Sequence, residues 1–210
     1  MSKEIQKKEK DHFQIDWNEH ASYWDEDKNA IIYNNRVMDT LNDVLNIQDL
    51  RIMDFGCGTG LLTDRMSKKA REIVAIDASK KMLEVLKAKK YKKVSAIHGK
   101  LSIETIEKNP VLHRKFDLIV AASVCAFLPN YIEVLQRIKS LLKPDGIFVQ
   151  WDWMPSPADP DFGFTEAKIR ENYKAVGLEV KSVDIGFFFQ EYEEKMEVLM
   201  AIGKLAKQYP

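Results

Sequence analysis

From residue 50 onward, short runs of apolar and β-branched residues alternate with longer stretches in which apolar residues recur every three or four positions. The first pattern suits strands buried on both faces and the second suits helices that cover them. The alternation therefore predicts successive βα units around a mostly parallel sheet. Expected strands are 51–55, 72–76, 94–98, 116–122 and 146–151. Expected crossover helices are 61–69, 80–90 and 131–142, the last carrying Ile132, Val134, Leu135, Ile138 and Leu142 at helical intervals. Lys143-Pro144-Asp145-Gly146 reads as a turn that ends this helix before the fifth strand.

Beyond a Pro-rich loop at 155–160, residues 165–176 read as a helix closed by Gly177. Two apolar segments follow, 178–185 and 196–202, separated by Phe187, Phe188 and Phe189 and an acidic stretch at 191–194, which predicts a terminal antiparallel pair. The first 45 residues differ: they hold Trp17, Tyr23, Trp24 and Tyr33 in two helical-looking stretches without a strand pattern. The expected organisation is a helical cap over 1–45, part of the same domain, and an α/β body over 46–210, with 47–50 leading into the first strand. There is no internal repeat.

Length and composition narrow this picture without changing it. The 210 residues suit one domain, and 45% hydrophobic with 30% charged residues describes a globular chain. No apolar run approaches the roughly 20 residues that span a bilayer, and residues 1–10 are charged, unlike a signal peptide. The expected location is the cytoplasm, with no membrane partner. Lys and Arg total 32 against 32 Asp and Glu, so no global field holds a nucleic acid, and the Lys-rich 87–93 stretch reads as a helix end and a solvated turn. Two cysteines, Cys57 and Cys125, are too few for a disulfide framework or a Cys-rich zinc site and read as packed thiols; no metal is expected.

The candidate chemistry sits where the first strand ends, in Asp54-Phe55-Gly56-Cys57-Gly58-Thr59-Gly60. Alternating glycines permit a tight strand-to-helix turn and let a ligand lie against bare main chain, whose N–H groups meet a carboxylate or phosphate. The next strand ends at Asp77, roughly twenty residues on, where a carboxylate accepts both hydroxyls of a ribose. A dinucleotide fingerprint requires a glycine where Leu61 stands.

With these residues the chain resembles the class I S-adenosylmethionine (SAM)-dependent methyltransferases, particularly the small-molecule branch that includes ubiquinone and menaquinone biosynthesis enzymes. The resemblance runs over roughly residues 12–204 and extends to Phe116-Asp117-Leu118-Ile119-Val120 and to Leu141-Leu142-Lys143-Pro144-Asp145-Gly146. It implies a Rossmann-like methyltransferase fold: a mostly parallel seven-stranded sheet, an antiparallel C-terminal strand and an N-terminal helical cap. It implies SAM as cofactor and S-adenosylhomocysteine as product. The implied cofactor residues are Asp54, Gly56, Cys57, Gly58 and Gly60 around the methionine part, Asp77 and Ala78 at the ribose, and Met82 at the adenine. Lys100, Leu101, Ala122 and Tyr23 complete the set. Lys100 departs from the family's pattern, which commonly has an aspartate there, and Val124-Cys125-Ala126-Phe127 replaces an apolar residue and a histidine pair. The Asn/Asp-Pro-Pro-Tyr/Phe motif of amino-directed DNA and protein methyltransferases is absent after Val120, and no proline precedes Cys125 as it does in RNA cytosine methyltransferases.

Methyl transfer is an in-line displacement at an activated sulfonium, so positioning supplies much of the rate and a base is needed only to deprotonate the acceptor. His20 and Asp152 are weak candidates for that base, each with a bland alternative, an exposed helix histidine and a loop cap. Trp24, Tyr33, Phe127, Trp151 and Trp153 are candidate acceptor contacts, with core packing as the alternative for Trp151 and Trp153. The expected activity is methylation of an oxygen, nitrogen or carbon of a small metabolite. The alternatives are methylation of RNA or protein, or a cofactor-binding partner subunit without turnover.

Overall fold

The computed structural model describes residues 15–157, 159–191 and 194–206; the sequence readings on 1–14, Ala158, 192–193 and 207–210 lie outside the described residues. Two helices come first, α1 (Trp17–His20) and α2 (Lys28–Val44). Asp16 and Asp27 cap them, each accepting from main-chain N–H groups of the first turn. The βα alternation follows: β1 (Arg51–Phe55), α3 (Leu61–Ser67), β2 (Glu72–Asp77), α4 (Lys80–Ala88), β3 (Val94–His98), α5 (Ile103–Lys108) and β4 (Phe116–Ala122). Then come α6 (Tyr131–Leu141), β5 (Leu142–Trp153), α7 (Glu166–Val176), β6 (Glu179–Glu191) and β7 (Glu194–Lys204).

The seven strands form one sheet in the order β3-β2-β1-β4-β5-β7-β6. The first five run parallel, and β7 lies antiparallel to both β5 and β6. All five residues of β1 are buried, as expected of a central strand covered on both faces. On one face Ile52, Leu118, Val149 and Trp151 pack under α2 and α3. On the other, Met53, Ile119 and Phe148 pack under α6 and α7. Chain order reverses between β1 and β4, so a crevice opens at their carboxyl ends, beside the paired Phe55 and Ala121.

Two expected boundaries are corrected, and one helix is added. Strand β5 begins at Leu142, paired with Phe116, so the Pro-Gly segment forms a register shift inside a strand and no free turn separates it from α6. Asp145 takes the left-handed φ of 64° there, and its N–H donates to Leu205 O. Phe187, Phe188 and Phe189 belong to β6 itself, paired with Val198, Glu197 and Met196, and do not form a connection. Helix α5 was not legible in the apolar pattern, because none of its residues is buried.

At the opposite end of the sheet Arg51, 1% exposed, anchors β1. Its guanidinium pairs with Glu72 at 2.9 Å, donates to the carbonyls of Val111 and Arg114 at 2.7 Å, and lies 4.1 Å over the Phe116 ring. A buried cation held by this many acceptors leaves them unsatisfied when removed. Arg51→Met is expected to cost about 3 kcal/mol in urea unfolding; a midpoint shift of a few tenths of a molar with unchanged slope would contradict the anchor.

Candidate active site

The loop leaving β1 turns sharply because Gly56, Gly58 and Gly60 take φ values of 73°, 54° and 89°, a region that favours residues without a Cβ. Their tasks differ. A Cβ on Gly56 would lie 2.6 Å from the Val124 side chain, so this glycine permits close packing of the β4 loop. A Cβ on Gly60 would meet Leu86 at 2.4 Å, where α3 packs on α4. At Gly58 the nearest atoms are Trp24 Nε1 and Met82 Sδ at 3.9 and 4.0 Å, so its main chain is open. The Gly58 N–H donates to Asp77 Oδ2 at 2.8 Å, and the Ser79 N–H to Oδ1 at 2.7 Å. Asp54 accepts from the Thr63 hydroxyl at 2.5 Å.

A cavity of about 1210 Å³ opens above this loop. Asp54, Gly56, Cys57 and Gly58 form its floor, and Asp77, Ala78, Met82, Lys100 and Leu101 its flank over β2 and β3. Tyr23, Trp24 and His20 reach it from the N-terminal segment. The opposite flank, over β4, β5 and β6, holds Ala122, Tyr33, Phe127 and Trp153. Tyr33, Trp153 and Phe189 form a continuous aromatic wall, with ring centroids 5.1 to 5.8 Å apart.

The N-terminal segment is latched over the crevice. Asn18 Oδ1 accepts from the Ser79 hydroxyl at 3.0 Å and the Lys81 N–H at 3.1 Å. Asp25 accepts from the Thr59 hydroxyl at 2.6 Å and pairs with Lys89 at 2.7 Å. Trp17 packs edge-on against both Trp24 and Phe127. His20 hydrogen-bonds Tyr23 within this segment and packs against Trp17 and Trp24.

Burial sets the electrostatics. It pushes the Asp54 carboxyl up to about 7, against the pull of Thr63, with the Asp77 charge adding to the rise. Asp77 is raised as well, by burial first, while the Ser79 and Gly58 N–H groups oppose the shift. Burial and then the Asp152 charge raise the Tyr33 hydroxyl well above its ordinary value, so it is protonated at neutral pH. Cys57 and Cys125 are buried thiols, both pushed up chiefly by burial.

Three sequence candidates do not reach the cavity. Gly60 lies behind the loop against Leu86. Trp151 is fully buried under α2, its Nε1 donating to Thr40 at 2.9 Å. Asp152, one residue on, points to the other face of the sheet, as alternation along a strand dictates, and its carboxyl binds the Ala126 N–H and Gln150. It is no base for a cavity ligand. Sequence reasoning missed Asn34, Phe189 and Arg137, all of which line the cavity. Asn34 follows Tyr33 on α2 and so shared its signal, whereas Phe189 was hidden by reading the Phe cluster as a connection.

The sheet order and the glycine turn at its switch point are those of a Rossmann-like α/β fold. Residues 53–148 match the family described as a methyltransferase domain. Ubiquinone biosynthesis O-methyltransferase of Actinobacillus pleuropneumoniae serotype 7 (strain AP76) is 30% identical over 102 residues, which cover 46% of this chain and 43% of that protein. The match thus spans less than half the length of this curated relative. Among solved structures, a SAM-dependent methyltransferase from Aquifex aeolicus superposes with a TM-score of 0.70 at 17% identity, covering 89% of this chain and 98% of that one. The N-methyltransferase NodS from Bradyrhizobium japonicum WM9, solved with S-adenosyl-L-homocysteine, gives 0.67 at 15% identity, covering 94% and 100%. These structures show the fold.

The Asp54 shift has a sign that can be measured. An unfolded aspartate ionises near about 3.9, whereas the folded group ionises at about 7. Its contribution to stability is complete below the unfolded value and is lost as pH rises to the folded one. Raising the pH from 5 to 8 is expected to destabilise the wild type relative to Asp54→Asn by about 2 kcal/mol. Parallel stability-pH curves for the two proteins would refute the assignment.

Proposed function

We propose that this chain is a SAM-dependent methyltransferase that moves a methyl group to an oxygen, nitrogen or carbon of a small metabolite and releases S-adenosylhomocysteine. The observation that carries the reading is the open main chain of Gly58 standing between the buried carboxyl of Asp54 and the half-buried one of Asp77, on one wall of the 1210 Å³ cavity. This donor set fits the cofactor. Each Asp77 oxygen receives one N–H bond and keeps a lone pair for a ribose hydroxyl. The Asp54 carboxylate suits an ammonium group, and the ion pair would favour its charged form. Met82 and Leu101, both buried, offer apolar surface to an adenine, and the exposed Lys100 lies beside them.

When bound, the cofactor supplies a methyl group already activated on a sulfonium. The protein's part is to hold, orient and dry the reacting atoms. The latched segment carrying Trp17, Tyr23 and Trp24 acts as the lid in this reading, and the aromatic wall of Tyr33, Trp153 and Phe189 receives the acceptor. Ser123 Oγ accepts from Trp153 Nε1 at 2.8 Å and also bonds Tyr33, so two of the three rings of the wall are fixed by one hydroxyl. With Tyr33 protonated, this flank contributes position and hydrogen bonding rather than a strong base. The relative named for ubiquinone biosynthesis supports a small acceptor. No helix among the described residues is long and apolar enough to cross a membrane, and a cytoplasmic location is part of the proposal.

Calorimetric titration with SAM and S-adenosylhomocysteine tests the reading. The wild type is expected to bind both, and Asp77→Ala to weaken each on the order of 100-fold, the cost of two hydrogen bonds to a charged acceptor. Equal affinity in the variant would remove the ribose assignment, and no binding by the wild type would remove the function.

A further inference from the structure

On the face of the sheet covered by α6 and α7, a chain of hydrogen bonds runs through the core to the back of the crevice. The hydroxyls of Tyr131 and Tyr173 both donate to Gln150 Oε1, the latter at 3.0 Å. Gln150 Nε2 then donates to Asp152 Oδ2 at 3.0 Å. The other oxygen of Asp152 accepts the Ala126 N–H at 3.0 Å, and the Cys125 thiol bonds the same carboxyl. Gln150, Asp152 and Tyr173 have no exposed surface. Every neighbour is a donor, so Asp152 is the acceptor on which the whole chain ends.

Two of those donors belong to the loop that follows β4. In that loop Ser123 takes the left-handed φ of 53°, and its N–H donates to Trp151 O at 2.7 Å. Val124 fills the space where a Cβ of Gly56 would be. The loop thus lies between the buried network on one side and the glycine turn on the other.

We propose that Asp152 is a positioning residue for the cofactor crevice: without touching the cavity, it fixes Cys125 and Ala126 and thereby holds Val124 against Gly56. The proposal rests on the cofactor reading above. A group buried on the far side of a strand sets the path of the main chain that meets the ligand, because a close-packed contact transmits a shift rather than absorbing it.

The test uses Asp152→Asn and the double variant Gln150→Glu/Asp152→Asn. In the single variant a side-chain amide faces the Gln150 amide, so either two donors collide or Gln150 turns and both tyrosine hydroxyls lose their acceptor. In the double variant the new amide donates to the new carboxylate, which accepts both tyrosines, and the Ala126 N–H keeps an oxygen. Two readouts are taken well below the melting temperatures: S-adenosylhomocysteine affinity by calorimetry, and hydrogen exchange of the Ala126 amide. The single variant is expected to bind on the order of tenfold more weakly and to exchange Ala126 faster, and the double variant to recover both. Wild-type affinity in a folded single variant overturns the proposal while leaving the cofactor reading intact. Should the single variant not fold, a folded double variant that binds as weakly as Asp77→Ala overturns it, and one that binds within about threefold of wild type with Ala126 protected supports it. A wild type that binds no S-adenosylhomocysteine overturns both readings at once.

Discussion

The contact between Val124 and Gly56 spans the point at which the order of the sheet reverses, and the rest of the site is arranged around it. Each loop leaves the carboxyl end of one of two neighbouring strands, β1 and β4, and each takes a left-handed turn, at Gly56 and at Ser123. The valine occupies volume that any side chain at position 56 would need. Glycine is required there on two counts, conformation and space, and neither requirement involves a ligand. At Gly58 the space is open, so the demand is only for left-handed backbone. The same short motif therefore combines a packing role, a helix-entry role at Gly60 and an open surface, one at each glycine.

Three carboxyls gather near this junction in a setting that disfavours charge. Asp54 and Asp152 are raised to about 7 and about 8, each chiefly by burial. Asp77 is raised for the same reason, but the main-chain N–H groups of Ser79, Gly58 and Ala78 oppose the shift. Burying such groups costs stability unless donors surround them. Asp152 has its donors within the protein and is complete. Asp54 and Asp77 have only part of theirs, and both face the cavity. Carboxyls left with lone pairs toward a cavity favour a ligand rich in donors and positive charge, which is the chemical character of an adenosyl sulfonium with an amino-acid tail.

Much of this was legible in the sequence, and the reasons for the rest are physical. The parallel core announced itself because strands such as β1 and β2 are buried on both faces and read as continuous apolar runs. The glycine loop and Asp77 were visible because their spacing is local. What the sequence could not assign was side-chain direction. Trp151, Asp152 and Trp153 looked alike as candidates, and only the register of β5 places Trp153 in the cavity, Trp151 under α2 and Asp152 on the opposite face. A shift of one residue in such a strand would exchange them. The Pro-Gly bulge in β5 and the Phe cluster in β6 differ from the sequence expectation for a related reason: turn-forming and aromatic residues read as punctuation, whereas cross-strand pairing keeps them in the sheet.

The division of the cavity follows from sheet order. Elements early in the chain build the flank over β2 and β3, with its carboxyl, its apolar methionine and leucine, and the latched segment tied to Ser79, Thr59 and Lys89. Later elements, joined by Tyr33 and Asn34 of α2, build the other flank, which holds aromatic rings, the Tyr33 and Ser123 hydroxyls and the Asn34 amide. Since the Tyr33 hydroxyl is held in its protonated form and Asp152 is turned away, what that flank offers a ligand is geometry and exclusion of water. Geometry of that kind depends on rigid supports. The wall is tied to β4 and β5 through Ser123, Trp153 and the Trp151 carbonyl, so the parts that shape the aromatic flank share their anchorage with the loop that packs on Gly56. The two halves of the cavity are therefore mechanically one site.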